Sequence, residues 1–468
     1  MQPFDRMNRI SKPQNPINLF QSLSYALPII PMTMLIVPIA IIQGIYAKYY
    51  GLALTTLATI MMISRLFDAF TDPIIGYYSD RYRAKHGTRK PYVVVGSLLM
   101  LVSGYYLYAP PGNVTVIYAG FWFCALFTSY TVFEIPHQTW PADIANDSVD
   151  KTRLFSYRIF ANYCGVTLFY CIPLLPFFDS NEITPQTLKV SFIVVAILTL
   201  PCLFQAIRIV PSGKPCLAID NLGHSSPWGL LRSASKEIVT NKPFLLFMLA
   251  FVCSSFAIWM WYGLIFIYVD AYLDMGDQFA EMFLIAVFAG ILVTPLWYKL
   301  ALKLGKKNTW MVAITLVIAS FICTGILEPG RTSFAQLLVV KIIQTCGFVC
   351  MYAVTPAMLS EIIDYSQWRS STEKNAIYFS VKVFSEKTSM AAGAALGLAI
   401  AGWHGFDVGA IEHTKESIVA LKVSIVWIPT LLGIISLIFV GLSPIDERRH
   451  RIIRRQLDIR LARAQVKT

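Results

Sequence analysis

The stretches YALPIIPMTMLIVPIAIIQGIYA (25–47), VSFIVVAILTLPCLFQAI (190–207) and VSIVWIPTLLGIISLIFVGL (423–442) are each long enough, as helices, to cross about 30 Å of hydrocarbon. No soluble core of ordinary size could hide so much apolar surface. The 468 residues are 56% hydrophobic and only 14% charged, whereas soluble domains run near a quarter charged. The expected fold class is an all-α integral membrane protein with about twelve transmembrane helices. The spans fall near 20–46, 52–77, 91–110, 115–137, 157–178, 188–210, 242–269, 279–300, 309–328, 333–358, 374–402 and 418–442. The basic start MQPFDRMNRISKPQNP is not followed by a short apolar core with a small-residue cleavage site, so the first span is expected to stay.

Lys and Arg collect in alternate loops: around Arg6, Arg9 and Lys12, in YSDRYRAKHGTRKP (78–91), at Lys151 and Arg153, across Lys214 to Lys242, and from Lys299 to Lys307. The intervening loops hold Asp179, Glu182, Asp270, Asp274 and Asp277. Because basic loops stay in the cytoplasm, both termini are expected to face inward. The net charge of +12 is thus a topology signal, and its dispersal among short loops argues against nucleic-acid binding. The tail RRHRIIRRQLDIRLARAQVK reads either as an amphipathic helix on an anionic leaflet or as a frayed basic end. Nine cysteines lack metal-site spacing, and Cys346 and Cys350, four apart on one helix, read as buried thiols.

An internal repeat is present. ADIAND (142–147) leads into FSYRIF (155–160), and SEIIDY (360–365) leads into FSVKVF (379–384). The loops YSDRYRAKHGTRKP and YKLALKLGKKNTW, after the second span of each half, are both basic and contain glycine. A six-plus-six duplication accounts for this: 1–210 as the first half, 211–241 as a cytoplasmic linker, 242–442 as the second half and 443–468 as a basic tail. Parallel repeats of this kind suit a transporter that holds substrate at midplane between its halves.

In RLFDAFTDPIIG (65–76) three charges interrupt the second span. Each ionised side chain at a bilayer centre costs roughly 2.5–3.5 kcal/mol, so they are expected to face a protein interior or a wet cavity. Asp68 and Asp72 are i, i+4 and Arg65 is three residues before Asp68, which puts all three on one face. They form either an internal salt bridge that locks helix packing or a cation site, since two carboxylates a turn apart can ligate one hard cation or share a proton. Pro73 can loosen the helix there. Glu134, Arg158, Lys382, Glu386 and Lys387 are further intramembrane charges. Lys387 lies at a depth similar to Asp68 and is expected to face both acids, while Lys382 and Glu386, again i, i+4, can neutralise each other. Gly393 and Gly397 form a GxxxG pair that lets helices approach closely. His137 reads as a loop histidine at a helix end, or as a group that modulates protonation.

RLFDAFTDPIIG, the loop that follows it, TVFEIP, SYRIF, EIIDY and NAIYFSVKVFSEK resemble the glycoside/pentoside/hexuronide:cation symporters of the major facilitator superfamily, at similar spacing over most of the chain. The resemblance implies cation-binding roles for Asp68, Asp72 and Thr131, with sodium at the two carboxylates if the coupling ion is sodium. It implies substrate-binding roles for Glu134, Arg158 and Tyr130, and a charge network of Arg65, Lys387, Lys382 and Glu386. Trp259 and Trp261, beside Tyr262, could offer a sugar an aromatic face, or could simply pack. The chain departs from the family pattern in having no acid in its first span and Val383 in place of a threonine. The expected function is symport of a sugar or glycoside with Na⁺ or H⁺ in a bacterial inner membrane, with no cofactor beyond the coupling ion. Transport of a lysophospholipid or other amphiphile is the alternative. No nucleophile elbow, metal cluster or phosphate loop points to an enzyme, and the short loops leave no output domain for a sensor.

Overall fold

The computed structural model describes residues 17–145, 148–213, 241–370, 375–410 and 412–444, together with Arg449, Ile452, Ile453, Arg455 and Gln456. Most of the expected linker and basic tail lie outside the described residues. The first crossing is broken into α1 (Leu19–Ala26), α2 (Ile29–Ile36) and α3 (Ile42–Tyr50). Pro28 stands at the first break, and Pro38 sits in the tight turn Val37–Ala40 at the second, because a proline ring cannot donate to the helix and clashes with the preceding turn. Then follow α4 (Leu54–His86), α5 (Lys90–Tyr108), α6 (Val116–Ile144), α7 (Ser148–Cys171) and α8 (Pro185–Ile209). The second set comprises α9 (Lys242–Ile267), α10 (Phe279–Leu304), α11 (Lys306–Ile326), α12 (Phe334–Ser370), α13 (Asn375–Trp403) and a last crossing split into α14 (Lys415–Lys422) and α15 (Ile428–Leu442).

Nine segments among the described residues are long and apolar enough to cross a membrane, and α4, α7 and α13 are three further long helices with charges along their length. Twelve crossings bring Ile17 and Leu442 to the same end of the bundle, here the terminal end; the far end carries Lys48, Glu182 and Asp270. Two helices are longer than hydropathy suggests. α7 begins at Ser148, ahead of the expected 157, and α12 continues to Ser370 through SEIIDY, past the expected 358. Hydropathy marks the apolar layer, but backbone hydrogen bonds continue beyond it wherever no residue stops them. α4 is helical through position 73 as well.

Close approach is built where the GxxxG pair predicts it. A Cβ on Gly393 would lie 2.7 Å from the Phe256 carbonyl oxygen on α9, and one on Gly397 would lie 2.9 Å from Leu264. α13 therefore runs hard against α9 on one side, and on the other it packs along α4 of the first set. At the terminal end an ion pair recurs in each set. Arg89, just past the left-handed Gly87 that ends α4, pairs with Asp143 at 2.6 Å and with Asp80 at 2.7 Å, and hydrogen-bonds Ser79 at 3.0 Å. Lys306, just past Gly305, pairs with Glu361 at 2.6 Å. Asp143–Ile144 and Glu361–Ile362 are the acid–Ile pairs of the two similar segments, so each segment supplies the acid of one of these ion pairs.

Candidate functional site

On α4, residues 65, 68 and 72 point the same way, and the surrounding helices meet them with polar groups. Arg65 Nη1 donates to Asp68 Oδ2 at 3.0 Å, its guanidinium lies 3.7 Å from the centre of the Phe127 ring, and Nη2 reaches Met390 Sδ on α13 at 4.0 Å. Asp72 is shared between the two sets of helices. Thr131 of α6 donates its hydroxyl to Asp72 Oδ1 at 2.8 Å, and Lys387 of α13 pairs with Oδ2. Lys387 therefore engages one of the two acids it was expected to face, while Asp68 is held by Arg65. Two cations and two carboxylates make the cluster neutral, which is the condition under which four charges can be kept in a low dielectric. One acceptor is left over: Asp68 Oδ1 is buried without a hydrogen-bond partner.

A second pair lies further along α6. Arg158 Nη2 of α7 donates to Glu134 Oε1 at 2.5 Å, with both side chains mostly buried. Arg158 Nε has no partner, and Tyr130 sits one turn before Glu134, half-buried. A carboxylate and a guanidinium side by side can accept from and donate to vicinal hydroxyls. His137 is not a loop residue. It is buried inside α6, stacked at 4.4 Å on Tyr25 and 5.1 Å on Phe133, with Nε2 at 2.9 Å from the Tyr25 carbonyl oxygen.

The second set of helices holds a narrow cavity, partly open to solvent, between α9, α12 and α13. Its lining includes Phe251, Trp259, Phe348, Tyr352, Lys382 and Glu386. Lys382 and Glu386 pair with each other at 2.8 Å, as their spacing allows, and belong to this cavity. Of the two tryptophans read as an aromatic face, only Trp259 lines it. Trp261 is 1% exposed and donates its indole N–H to Thr324 at 3.1 Å, so it belongs to helix packing. α9 is apolar all round, and no stripe in its sequence says which face looks inward. Phe348, Tyr352 and Thr355 were not anticipated, though their spacing of four and three already put them on one helix face.

The far end is sealed across the two sets. Lys48, at the end of α3, pairs with Glu182 at 2.6 Å and with Asp270, beyond α9, at 2.9 Å, and the Tyr49 hydroxyl donates to Glu182 at 2.7 Å. Burial pushes the Glu182 carboxyl up, but hydrogen bonds from Lys48 and Tyr49 outweigh it and hold the group below its usual range. Nearby, Tyr170 of α7 stacks on Phe283 of α10 at 5.0 Å. The sequence signal for this seal was Lys48 itself, a base at the end of the bundle where Glu182 and Asp270 were already placed.

Residues 24–447 match the family described as MFS/sugar transport protein. The chain is 24% identical to the symporter YjmB of Bacillus subtilis (strain 168), over 86% of this chain and 88% of that one. It is 21% identical to the isoprimeverose transporter of Lactiplantibacillus pentosus, over 86% and 84%, and 20% identical to the sodium-dependent lysophosphatidylcholine symporter 1-A of Danio rerio, over 86% and 81%. In structure it resembles a D-xylose-proton symporter with a TM-score of 0.62, covering 91% of this chain and 96% of that one at 12% identity.

Proposed function

The chain belongs to the family of MFS/sugar transport proteins and is a multi-pass membrane transporter, and from that premise we propose that it carries a sugar or glycoside together with a cation by alternating access. The carrying observation is Asp72. One carboxylate accepts from Thr131 on one oxygen and pairs across the interface with Lys387 on the other. The ammonium of Lys387 thus occupies the place a coupling cation needs. A Na⁺ or H⁺ arriving at Asp68 and Asp72 displaces it and leaves Lys387 without a counter-charge in a low-dielectric cleft, which is costly. Substrate hydroxyls that hydrogen-bond the released ammonium, Glu134 and Arg158 offset that cost. The ion alone is penalised and the pair is not, which is the requirement for symport.

In this reading the far-end seal faces the periplasm of a bacterial inner membrane, both termini are cytoplasmic, no cofactor beyond the coupling ion takes part, and the chain is not an enzyme. The cavity lined by Trp259, Tyr352, Lys382 and Glu386 receives the rest of the substrate. A second reading, transport of a lysophospholipid, is favoured by the likeness to the lysophosphatidylcholine symporter and by the aromatic lining contributed by Phe251, Trp259 and Phe348. Uptake of labelled sugars and lysophospholipids into vesicles containing the purified protein, with sodium and proton gradients imposed separately, tests both. Gradient-driven sugar accumulation is expected. Lipid movement indifferent to either gradient would make Asp68 and Asp72 structural charges.

A further inference from the structure

Arg65, Arg158, Lys382 and Lys387 each pair with a carboxylate. Lys341, on α12, is 2% exposed and forms no ion pair among the described residues. Its ammonium donates to Gln344 Oε1 at 3.0 Å and to the Tyr262 hydroxyl oxygen at 3.2 Å, and lies 3.9 Å from the centre of the Phe283 ring, with Tyr262 and Trp261 at 4.5 and 5.2 Å. Dipoles and ring faces surround the Lys341 amine, and no carboxylate pairs with it among the described residues. Gln344 is fully buried as well. Its oxygen already takes hydrogen bonds from Lys341 and Tyr262, while Nε2 has no acceptor. A buried ammonium and a buried amide N–H₂ three residues apart on one helix, with no carboxylate paired to either among the described residues, have the donor chemistry that an oxyanion needs.

Its position gives it a route. Residues 341, 344, 348, 352 and 355 lie on one face of α12, and the last three line the cavity. Seven residues separate Lys341 from Phe348, about 10 Å toward the far end. Tyr262, whose ring is 5.5 Å from Phe348, stands between the two. The ring nearest Lys341, Phe283, is also the one stacked on Tyr170 of the other set at the far end. Parting of the two sets there would break that stack and leave Phe283, the ring over Lys341, without its cross-set neighbour.

We infer that Lys341 and Gln344 are a receiving site for an oxyanion carried by the substrate, either a sugar carboxylate or a lipid phosphate, reached from the far end when the seal opens. The inference rests on the transporter reading and narrows it to acidic substrates. It is tested by equilibrium binding to the purified full chain in nanodiscs, with D-glucuronate, D-glucose and lysophosphatidylglycerol as probes, for the wild type, Lys341→Met and Asp72→Asn. One acidic probe should bind, and which one it is separates carboxylate from phosphate. Lys341→Met should weaken it by about tenfold or more and leave D-glucose unchanged. Since the substitution replaces a buried amine that has no ion-pair partner among the described residues with an apolar side chain of similar length, the wild-type melting temperature should be kept. Should that variant aggregate, Gln344→Leu is measured instead, with a loss of about threefold or more expected. Asp72→Asn should remove the dependence of probe binding on the coupling ion, whereas Lys341→Met should weaken the acidic probe with that ion dependence kept, so that a failure of cation coupling and a failure of the anion site give different patterns. Acidic probes that bind Lys341→Met as tightly as wild type, or that do not bind the wild type at all, would overturn the inference.

Discussion

The first six helices and the last six share a framework and divide the chemistry. Each set ties its terminal end with a basic residue after a glycine and an acid–Ile pair, Arg89 with Asp143 and Lys306 with Glu361. Inside, they differ. The first set supplies Asp68, Asp72 and Glu134, with Arg65 and Arg158 beside them, whereas the second supplies Lys382, Lys387 and Lys341 and the cavity. Most of these charges pair within their own set, and two pairs, Asp72–Lys387 and Lys48–Asp270, cross between the sets. If the sets rock against each other as proposed, Lys48–Asp270 must break when the far end opens, and Asp72–Lys387 is the other ion pair that joins the sets.

The sharpest contrast lies between pairs inside one set and pairs across sets. Glu134→Gln leaves Arg158 charged and unpaired within the first set and should destabilise the protein by about 3–5 kcal/mol, while the double variant with Arg158→Gln should recover most of that loss; thermal unfolding of the detergent-solubilised protein reads both. The two framework pairs are unequal. The Arg89 side chain is 7% exposed with three partners and that of Lys306 is 37% exposed, so Arg89→Ala should cost about 3 kcal/mol and Lys306→Ala under about 1 kcal/mol in the same assay. Gly393→Ala should cost about 1–3 kcal/mol, because the α9 backbone leaves no room for a methyl group, whereas Gly112→Ala, with nothing within 4 Å, should be close to neutral.

The smallest effect belongs to the seal. Glu182→Gln should lower stability by about 1 kcal/mol or less at pH 7, with Lys48 still held by Asp270. The Glu182 carboxyl is held below its usual 4.5, so its contribution is complete above that pH and is lost as pH falls through the lowered value. The difference between variant and wild type should therefore vanish in acid; a difference that grew in acid would contradict the pairing.

Much of this was legible in the sequence, and the reasons it stopped are physical. Helix length and hydropathy located the crossings, and helical periodicity put Arg65, Asp68 and Asp72 on one face. Depth counting brought Lys387 to their level, but depth is one coordinate, and the rotation of α13 about its axis decides that the ammonium meets Asp72 while Asp68 keeps Arg65. For Trp259 and Trp261 the sequence left an aromatic face and plain packing both open, because an all-apolar helix gives no rotational signal to choose between them. Lys341 was visible as a charge in the apolar run VVKIIQ, yet its meaning depends on the absence of a nearby carboxylate, and only a three-dimensional arrangement can show that. The Lys48–Asp270 contact spans 222 positions, beyond any local pattern.

The central claim is that the Asp72 carboxylate couples ion to substrate by exchanging Lys387 for a cation. Gradient-driven accumulation of the sugar found in the vesicle panel, measured for Asp72→Asn beside the wild type, tests it most directly. The account predicts that the variant folds, still equilibrates the sugar and fails to accumulate it under any ion gradient. Accumulation at the wild-type level, still stimulated by the same ion, would contradict it.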